Sequence, residues 1–238
     1  MQGRTALHVA VDQGDVNPNV VNILLENGCK NEKGYRGDTP LHLACRNHRI
    51  NPEIIPTLLK NNCKPNEKNN EGRTALHVAV DQDNVDPNVV KILLENGCKN
   101  EKDIKGRTAL HIAAGVPNVN PNIIQDLLEY GCFPNVKDEK GQTALHAAAT
   151  SKYVNAIIIK TLLKHGCKPD EIDSQGNTPY MNLIAGDYEY NIDAEGISNE
   201  NPEGRKKNLS LHLCSDLFDK PMFDNAVWVI SNYMKITE

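Results

Sequence analysis

Hydrophobic and polar positions recur along this chain with a spacing of 34 or 35 residues. The unit is clearest in the octet GRTALHVA. Close copies and one divergent copy accompany it, so that octets begin at Gly3, Gly37, Gly72, Gly106, Gly141 and Gly176. Self-similarity at a fixed period of this length indicates a repeat protein, in which each unit packs mainly against its neighbours.

The pattern within one repeat predicts two short helices. Thr74 is a suitable N-cap for a helix over residues 75–80, because its hydroxyl can accept a hydrogen bond from a first-turn N–H. Pro87 fits the first turn of a second helix, whose apolar stripe runs through residues 88–95 and which Gly97 ends. Both helices are near or below the roughly 12–15 residues at which isolated helices become marginal in water, so their stability must come from stacking.

The octets resemble the TPLH core of the ankyrin repeat, and the Val-x-x-Leu-Leu pattern of the second helix resembles the rest of that unit. The octet at Gly176 matches only weakly. The resemblance implies an all-α repeat solenoid of stacked helix-turn-helix units, with β-hairpin-like loops that project from one edge. On this basis the repeats are expected at residues 3–36, 37–71, 72–105, 106–140, 141–175 and, in part, 176–186.

The two ends are expected to depart from this pattern. The chain begins at the glycine of an octet, so we expect the first helix to expose Leu7 and Val9. The helix would then belong to a cut fragment or rely on something that packs against it. Residues 187–203 hold six acidic and no basic residues and are expected to form a solvated loop. Residues 204–238 are amphipathic and are expected to form a helical cap on the last repeat, or a degenerate seventh repeat.

The charge balance weighs against two classes of partner. The formal net charge is −5 and the pI about 5.9, which argues against general affinity for nucleic acid or anionic membranes. No apolar run approaches the roughly 20 residues that a membrane helix needs, so we expect no membrane insertion. These features favour a cytoplasmic protein, with the nucleus as the alternative because residues 205–207 are basic. We expect a monomer unless the uncapped N-terminal end self-associates.

Cysteines recur at one position of the repeat. The periodic ones are Cys29, Cys63, Cys98, Cys132 and Cys167. Equivalent residues of stacked helices lie about 10 Å apart, whereas a disulfide needs Cα atoms within about 7 Å. These cysteines therefore cannot pair with one another, and we expect them to be small, buried, reduced thiols.

Histidines also recur, once in each well-matched octet. They are His8, His42, His77, His111 and His146. The repeat spacing prevents them from sharing a metal ion, because zinc–nitrogen bonds are about 2 Å long. In ankyrin repeats this histidine bridges the threonine and a neighbouring backbone, and the resemblance implies the same structural role here. No nucleophile–base pair with an acid beside it and no phosphate-binding glycine motif can be placed, so we expect no catalytic, cofactor-binding or metal-binding residue.

The hairpin tips and the exposed positions of the first helix form the concave face through which ankyrin repeats usually bind partners. Transferred to this sequence, the resemblance implies a protein-binding surface that contains Tyr35, Arg36, Arg46, Arg73, Ile104, Lys105, Arg107 and Val116. Among them, Tyr35 and Ile104 have the character of interface anchors, since exposed aromatic and apolar side chains ringed by polar ones are typical of interface cores.

An alternative interpretation gives the charged positions of this face a purely internal role. Arginine and aspartate alternate between successive repeats along two rows, which contain Arg4, Asp38 and Arg73, and Asp12, Arg46 and Asp81. Long arginine side chains can bridge adjacent repeats, and such ladders would neutralise themselves at under about 1 kcal/mol per exposed pair.

Two functional hypotheses follow. The first is a non-enzymatic protein-interaction module or adapter that binds an unidentified partner protein through its concave face and hairpin tips. The second is the regulatory ankyrin region of a larger enzyme, channel or ubiquitin-ligase adapter, which the uncapped first helix favours and the terminal segment around Trp228 opposes. An intrinsic hydrolase or metal enzyme is the third and least favoured reading.

Overall fold

The computed structural model describes residues 3–13, 16–47, 49–82, 84–151 and 154–185. These residues form α-helices, with one 3₁₀ turn at Tyr35–Gly37 and no strand. The helices are α1 (Ala6–Asp12), α2 (Pro18–Glu26), α3 (Pro40–Arg46), α4 (Ile54–Lys60), α5 (Ala75–Val80), α6 (Pro87–Glu95), α7 (Ala109–Gly115), α8 (Pro121–Glu129), α9 (Ala144–Ala149), α10 (Ala156–Lys164) and α11 (Pro179–Ala185). The acidic segment 187–203 and the segment 204–238 lie outside the described residues.

The helices stack in two layers. Helices α1, α3, α5, α7, α9 and α11 pack in series and form the inner layer, whereas α2, α4, α6, α8 and α10 form the outer layer. Within a repeat, each inner helix also packs against the outer helix that follows it. This arrangement confirms the predicted helical solenoid, and it buries one continuous apolar core between the layers.

The inner helices begin as the sequence predicts. Thr5, Thr39, Thr74, Thr108 and Thr143 are their N-caps, and each forms a capping box with the histidine three residues later. The side chain of the histidine therefore replaces the glutamate that usually completes this motif.

Helices α2, α6 and α8 begin at an Asn-Pro or Asp-Pro pair, whereas α4 begins after Glu53 and α10 after Asn155. Asp86 caps α6 by accepting the backbone N–H of Asn88 at 2.9 Å, and Pro87 occupies the first helical position. The helix ends at Glu95, and Gly97 follows the C-cap with a φ of 84°, which is costly for residues with a side chain. The N–H of Cys98 returns to the Leu93 carbonyl at 3.1 Å. These start and stop signals were all readable from the sequence.

The first helix is buried more deeply than expected. Leu7 has no exposed surface, because α1 packs against both α2 and α3. The prediction that Leu7 is exposed was therefore wrong. Val9 points away from these contacts and is 46% exposed, as predicted, whereas its counterpart Val78 in the third repeat is 2% exposed.

The periodic cysteines are unpaired thiols in the described part of the chain. Burial raises the pKa of Cys63, Cys98, Cys132 and Cys167 to about 12, so these thiols stay protonated. Cys29 departs from the prediction because it is only partly buried.

Candidate protein-binding site

Backbone hydrogen bonds join the hairpin-like loops side by side in one row. Within a loop, the N–H of Asn69 donates to the carbonyl of Arg73 at 2.9 Å. Between loops, the N–H of Ile104 donates to the carbonyl of Glu71 at 3.1 Å, and the equivalent bond recurs at the following tips. Gly72 makes this approach possible, because a Cβ there would lie 2.8 Å from the backbone nitrogen of Ile104. The tips therefore form a fixed edge along the stack.

An aspartate carboxylate holds each of the later loops at its base. Asp103 Oδ1 accepts the backbone N–H groups of Lys105 and Arg107, both at 2.9 Å, and Oδ2 accepts Nε and Nη2 of Arg107 at 3.0 and 2.8 Å. Burial opposes ionisation of Asp103, but the hydrogen bonds and charge of Arg107 outweigh it, so the pKa of Asp103 is lowered. This carboxylate fixes the direction of the Arg107 side chain.

A groove of about 430 Å³ opens between α7 and α9 on the inner layer. It arises where the side chains become small. Gly115 and Thr150 stand where earlier repeats carry Asp12, Arg46 and Asp81, and Ala147 stands where they carry valine, leucine or isoleucine. The walls of this α7–α9 groove include Arg107, Val116, Asp138, Gln142 and Ser151. The groove is therefore lined by both apolar and charged side chains.

A second depression of about 230 Å³ lies on the same layer near the start of the stack. Tyr35, Arg36, Leu43 and Arg46 line it, and the guanidinium of Arg36 lies 5.6 Å from the centre of the Tyr35 ring. A cation at this distance from an aromatic ring is attracted by the ring quadrupole. The ring and the guanidinium together form a compact, exposed pair at this tip.

The family model for ankyrin repeats, which comprises three copies, matches residues 1–69, 49–138 and 116–190. The chain belongs to the ankyrin repeat family. Ankyrin repeats are protein-binding modules, so the two depressions on the inner layer are its candidate binding sites.

One solved structure similar to this ankyrin array is the crystal structure of the ankyrin repeat domain of Bcl-3, described as a unique member of the IkappaB protein family. The two share 27% sequence identity, and the alignment covers 76% of this chain and 95% of the Bcl-3 chain with a TM-score of 0.60. No curated protein sequence matches the chain.

The structure separates the predicted contact residues of the ankyrin surface into groups. Arg107 and Val116 line the α7–α9 groove, whereas Tyr35, Arg36 and Arg46 line the second depression. Ile104 and Lys105 form a tip between them, and Arg73 lies at the base of the preceding tip. Tyr35 and Ile104 are 70% and 60% exposed, as expected for anchors available to a partner.

The arginines pair mainly within their own repeat, which corrects the expectation of ladders between repeats. Arg46 Nη1 lies 2.8 Å from Asp38 Oδ2, and Arg73 Nη1 lies 2.7 Å from Asp81 Oδ2. Arg4 forms the same type of pair with Asp12. The two residues of each pair are eight positions apart in the sequence. They meet because one lies at the base of the loop and the other at the last turn of the inner helix, and these two places are close in space. Arg107 is the exception, because its Nη2 lies 2.8 Å from Asp103 Oδ2 at the end of the preceding repeat.

Two of the groove residues were not predicted from the sequence. They are Ala147 and Asp138. The sequence could have indicated Ala147, because it is the only small residue at its position among the aligned octets. The sequence does not distinguish Asp138, since the neighbouring repeats also carry aspartate at the base of the loop.

The groove contains one histidine, and its ring is fully engaged. His111 Nδ1 accepts the backbone N–H of Thr108 at 3.2 Å, and Nε2 donates to the carbonyl of Gln142 at 3.0 Å. Within the described ranges, no cluster of three or more His, Cys, Asp or Glu residues is placed to hold a metal ion. In the same residues, no helix is long and apolar enough to cross a membrane.

Proposed function

We propose that this ankyrin array is a non-enzymatic adapter that binds a partner protein through the α7–α9 groove and the adjoining hairpin tips. The observation that carries the proposal is the loss of side-chain volume at Gly115 and Ala147, which opens the larger of the two depressions described on the inner layer. Concave sites with a largely apolar floor and a few fixed polar groups are the usual form of a binding site.

The charged groups around the groove support the same proposal. Arg107 is held by two bonds to Asp103, so it presents its remaining N–H donors in a fixed direction. Asp138 accepts the backbone N–H of Gln142 where Asp103 accepts that of Arg107, so Asp138 lacks the arginine that pairs with Asp103. A fixed donor on one wall and a carboxylate on the other favour a partner segment that carries matching polar groups on both sides of an apolar side chain.

The tip anchors extend this surface along the stack. Ile104 projects from the loop that precedes the groove, and its backbone is tied to Glu71. Exposed apolar side chains on a rigid backbone lose little conformational freedom on binding, so each adds affinity efficiently. We place the adapter in the cytoplasm or the nucleus, because its buried cysteines are free thiols and suit a reducing compartment.

The test is to fill the groove with residues that this chain already uses at the same positions. Gly115→Asp copies the aspartate of the third repeat, and Ala147→Leu copies Leu43, so both changes suit the fold. Partners are captured from native cytosol, identified by mass spectrometry and purified for affinity measurement. We expect the double variant to bind a partner at least about tenfold more weakly.

Lys91→Ala provides the control, because Lys91 is an exposed residue of the outer helix α6. We expect this variant to bind as the wild type does. Equal affinity of the wild type and the folded double variant for every captured partner would refute the groove as the binding site.

A further inference from the structure

Two exposed aromatic residues interrupt regular rows on the outer layer. Tyr130 stands at a position that is Asn27, Asn61 and Asn96 in the first three repeats and His165 in the fifth. Phe133 stands at one that is otherwise Lys30, Lys64, Lys99 and Lys168. The side chains of Tyr130 and Phe133 are 45% and 70% exposed. Four repeats thus carry lysine where the fourth repeat carries a large apolar ring in water. Folding does not require this ring, since the other repeats form the same turn without it.

The backbone that carries these aromatics is rigid. The N–H of Tyr130 donates to the Asp126 carbonyl at 2.9 Å, and the N–H of Cys132 donates to the Leu127 carbonyl at 2.9 Å. Cys132, which lies between the two aromatic residues in the sequence, is buried. The Tyr130 hydroxyl donates to Glu95 at 3.3 Å. The backbone of the aromatic pair is therefore fixed before any partner arrives, which lowers the entropic cost of binding.

Lysines flank the aromatic pair on its loop side. The thiol of Cys167 donates to the Pro134 carbonyl at 3.5 Å, and the backbone N–H of Lys168 donates to Asn135 Oδ1 at 2.8 Å, so Lys168 lies directly beside the Phe133 loop. Lys99 holds the same position one repeat earlier, and no carboxylate of the described residues pairs with it. Among the described residues, Lys168 pairs only with Glu171, whose Oε1 lies 3.7 Å from Lys168 Nζ.

The helix side of the pair carries the opposite charge. Glu95 receives the Tyr130 hydroxyl, and Glu129 precedes Tyr130 at the end of α8. None of these residues lines the α7–α9 groove or the second depression. The aromatic pair is therefore a separate surface, polarised from acidic at the helix ends to basic at the loops.

We propose that Tyr130 and Phe133, with Lys99 and Lys168, form a second protein-binding surface on the outer layer. Its occupant is an acidic segment of a partner protein that places an apolar side chain on the aromatic pair and carboxylates beside the lysines. The aromatic rings supply the apolar contact that anchors interfaces. The lysines select the charge of the segment on the loop side, because the two ammonium groups attract carboxylates and repel a basic segment. This surface does not depend on the proposed function of the groove.

The fold itself supplies suitable variants. Phe133→Lys and Tyr130→Asn each restore the residue that most other repeats carry, so the variants are expected to fold. Lys99→Glu combined with Lys168→Glu reverses the flanking charge, and Lys30→Glu makes the same change at the equivalent but remote position in the first repeat. Circular dichroism and thermal unfolding check that each full-length variant is native.

The probe is a short synthetic peptide in which leucine alternates with glutamate, and the matched probe replaces each glutamate with lysine. Fluorescence anisotropy measures binding of both peptides to the full chain at low and at physiological salt. We expect the acidic peptide to bind and the basic peptide not to bind. Phe133→Lys combined with Tyr130→Asn, and separately the double lysine reversal, should each weaken the acidic peptide by about tenfold or more.

Two controls separate this surface from the rest of the molecule. Lys30→Glu and the groove variant Gly115→Asp with Ala147→Leu should each bind the acidic peptide as the wild type does. The proposal is overturned if the acidic peptide does not bind, if the basic peptide binds equally well, or if Phe133→Lys with Tyr130→Asn leaves the affinity unchanged.

Discussion

His77 Nε2 donates to the carbonyl oxygen of Arg107 in the next repeat at 3.2 Å. Its Nδ1 accepts the backbone N–H of Thr74 at 3.2 Å, so the ring is the neutral tautomer with its proton on Nε2. The same contact to the following repeat recurs in His8, His42, His111 and His146. A row of neutral imidazoles therefore joins each helix start to the next loop.

These imidazoles make stability depend on pH. Burial lowers the pKa of His77 from 6.5 to about 4 and also lowers the pKa of His42, His111 and His146. Between about pH 4 and about pH 6.5, the unfolded chain therefore binds more protons than the folded chain. Stability from this source is complete above about pH 6.5 and is lost as the pH falls toward 4.

We expect the melting temperature to fall steadily between about pH 6.5 and about pH 4.5, before most carboxylates titrate. Thermal unfolding followed by circular dichroism across this range measures the effect. The same scan on His77→Gln, which lacks one titrating group, should show a shallower fall. A melting temperature that does not change across this range would contradict the neutral state assigned to these histidines.

Replacing His77 itself should destabilise the protein strongly. His77→Ala leaves the Thr74 N–H without its partner, removes one of the two hydrogen bonds that the Arg107 carbonyl accepts, and opens a cavity at a fully buried position. We expect a loss of about 2–4 kcal/mol in the free energy of unfolding, measured by urea denaturation. His165→Ala is the control and should cost much less, because that half-buried ring bonds only within its own helix end. Equal stability of His77→Ala and the wild type would rule out the bridging role.

The exposed tip anchors should behave in the opposite way. Tyr35→Ala and Ile104→Ala remove side chains that are 70% and 60% exposed, so we expect each to change the free energy of unfolding by less than about 0.5 kcal/mol. Binding of a captured partner should weaken by about tenfold for at least one of them. If both folded variants bind every captured partner with wild-type affinity, neither tip belongs to the interface.

An asparagine in the loops gives a matched test of coupling between repeats. Asn135 donates from Nδ2 to the Gly166 carbonyl at 2.8 Å and accepts the Lys168 N–H at 2.8 Å. Asn100 holds the corresponding place one repeat earlier, but its loop lacks the proline and is one residue shorter. Its buried Oδ1 has no hydrogen-bond partner among the described residues.

We therefore expect Asn135→Ala to cost about 1–3 kcal/mol of unfolding free energy and Asn100→Ala to cost clearly less. Urea denaturation of the two variants beside the wild type makes the comparison. A loss for Asn100→Ala as large as that for Asn135→Ala would show that the shorter loop is bound to its neighbour in another way.

Much of the fold was predictable because its causes are local. Thr74 and Asp86 cap helices through hydrogen bonds to residues two or three positions away, and Gly97 ends a helix through its own backbone conformation. The fixed period then places equivalent cysteines and histidines in rows, which excluded disulfides and shared metal ions without coordinates.

The candidate site was predictable only in part. The repeat pattern placed Tyr35 and Ile104 at exposed tips, and the structure agrees. It did not bring Arg107, Val116 and Ala147 into one groove, because that depends on how closely α7 and α9 approach. Nor did it predict that Arg46 pairs within its own repeat with Asp38, since side chains of this length reach several carboxylates.

The sequence alone determined the repeat, the helices, their caps and the positions that face outward, because each depends on residues within one period. Tertiary structure alone decided that Leu7 is buried, which carboxylate holds each arginine, where the groove opens, and that Asn135 but not Asn100 Oδ1 binds the next repeat. These outcomes depend on distances between different helices and loops, where a single residue of loop length or one methyl group changes which atoms meet.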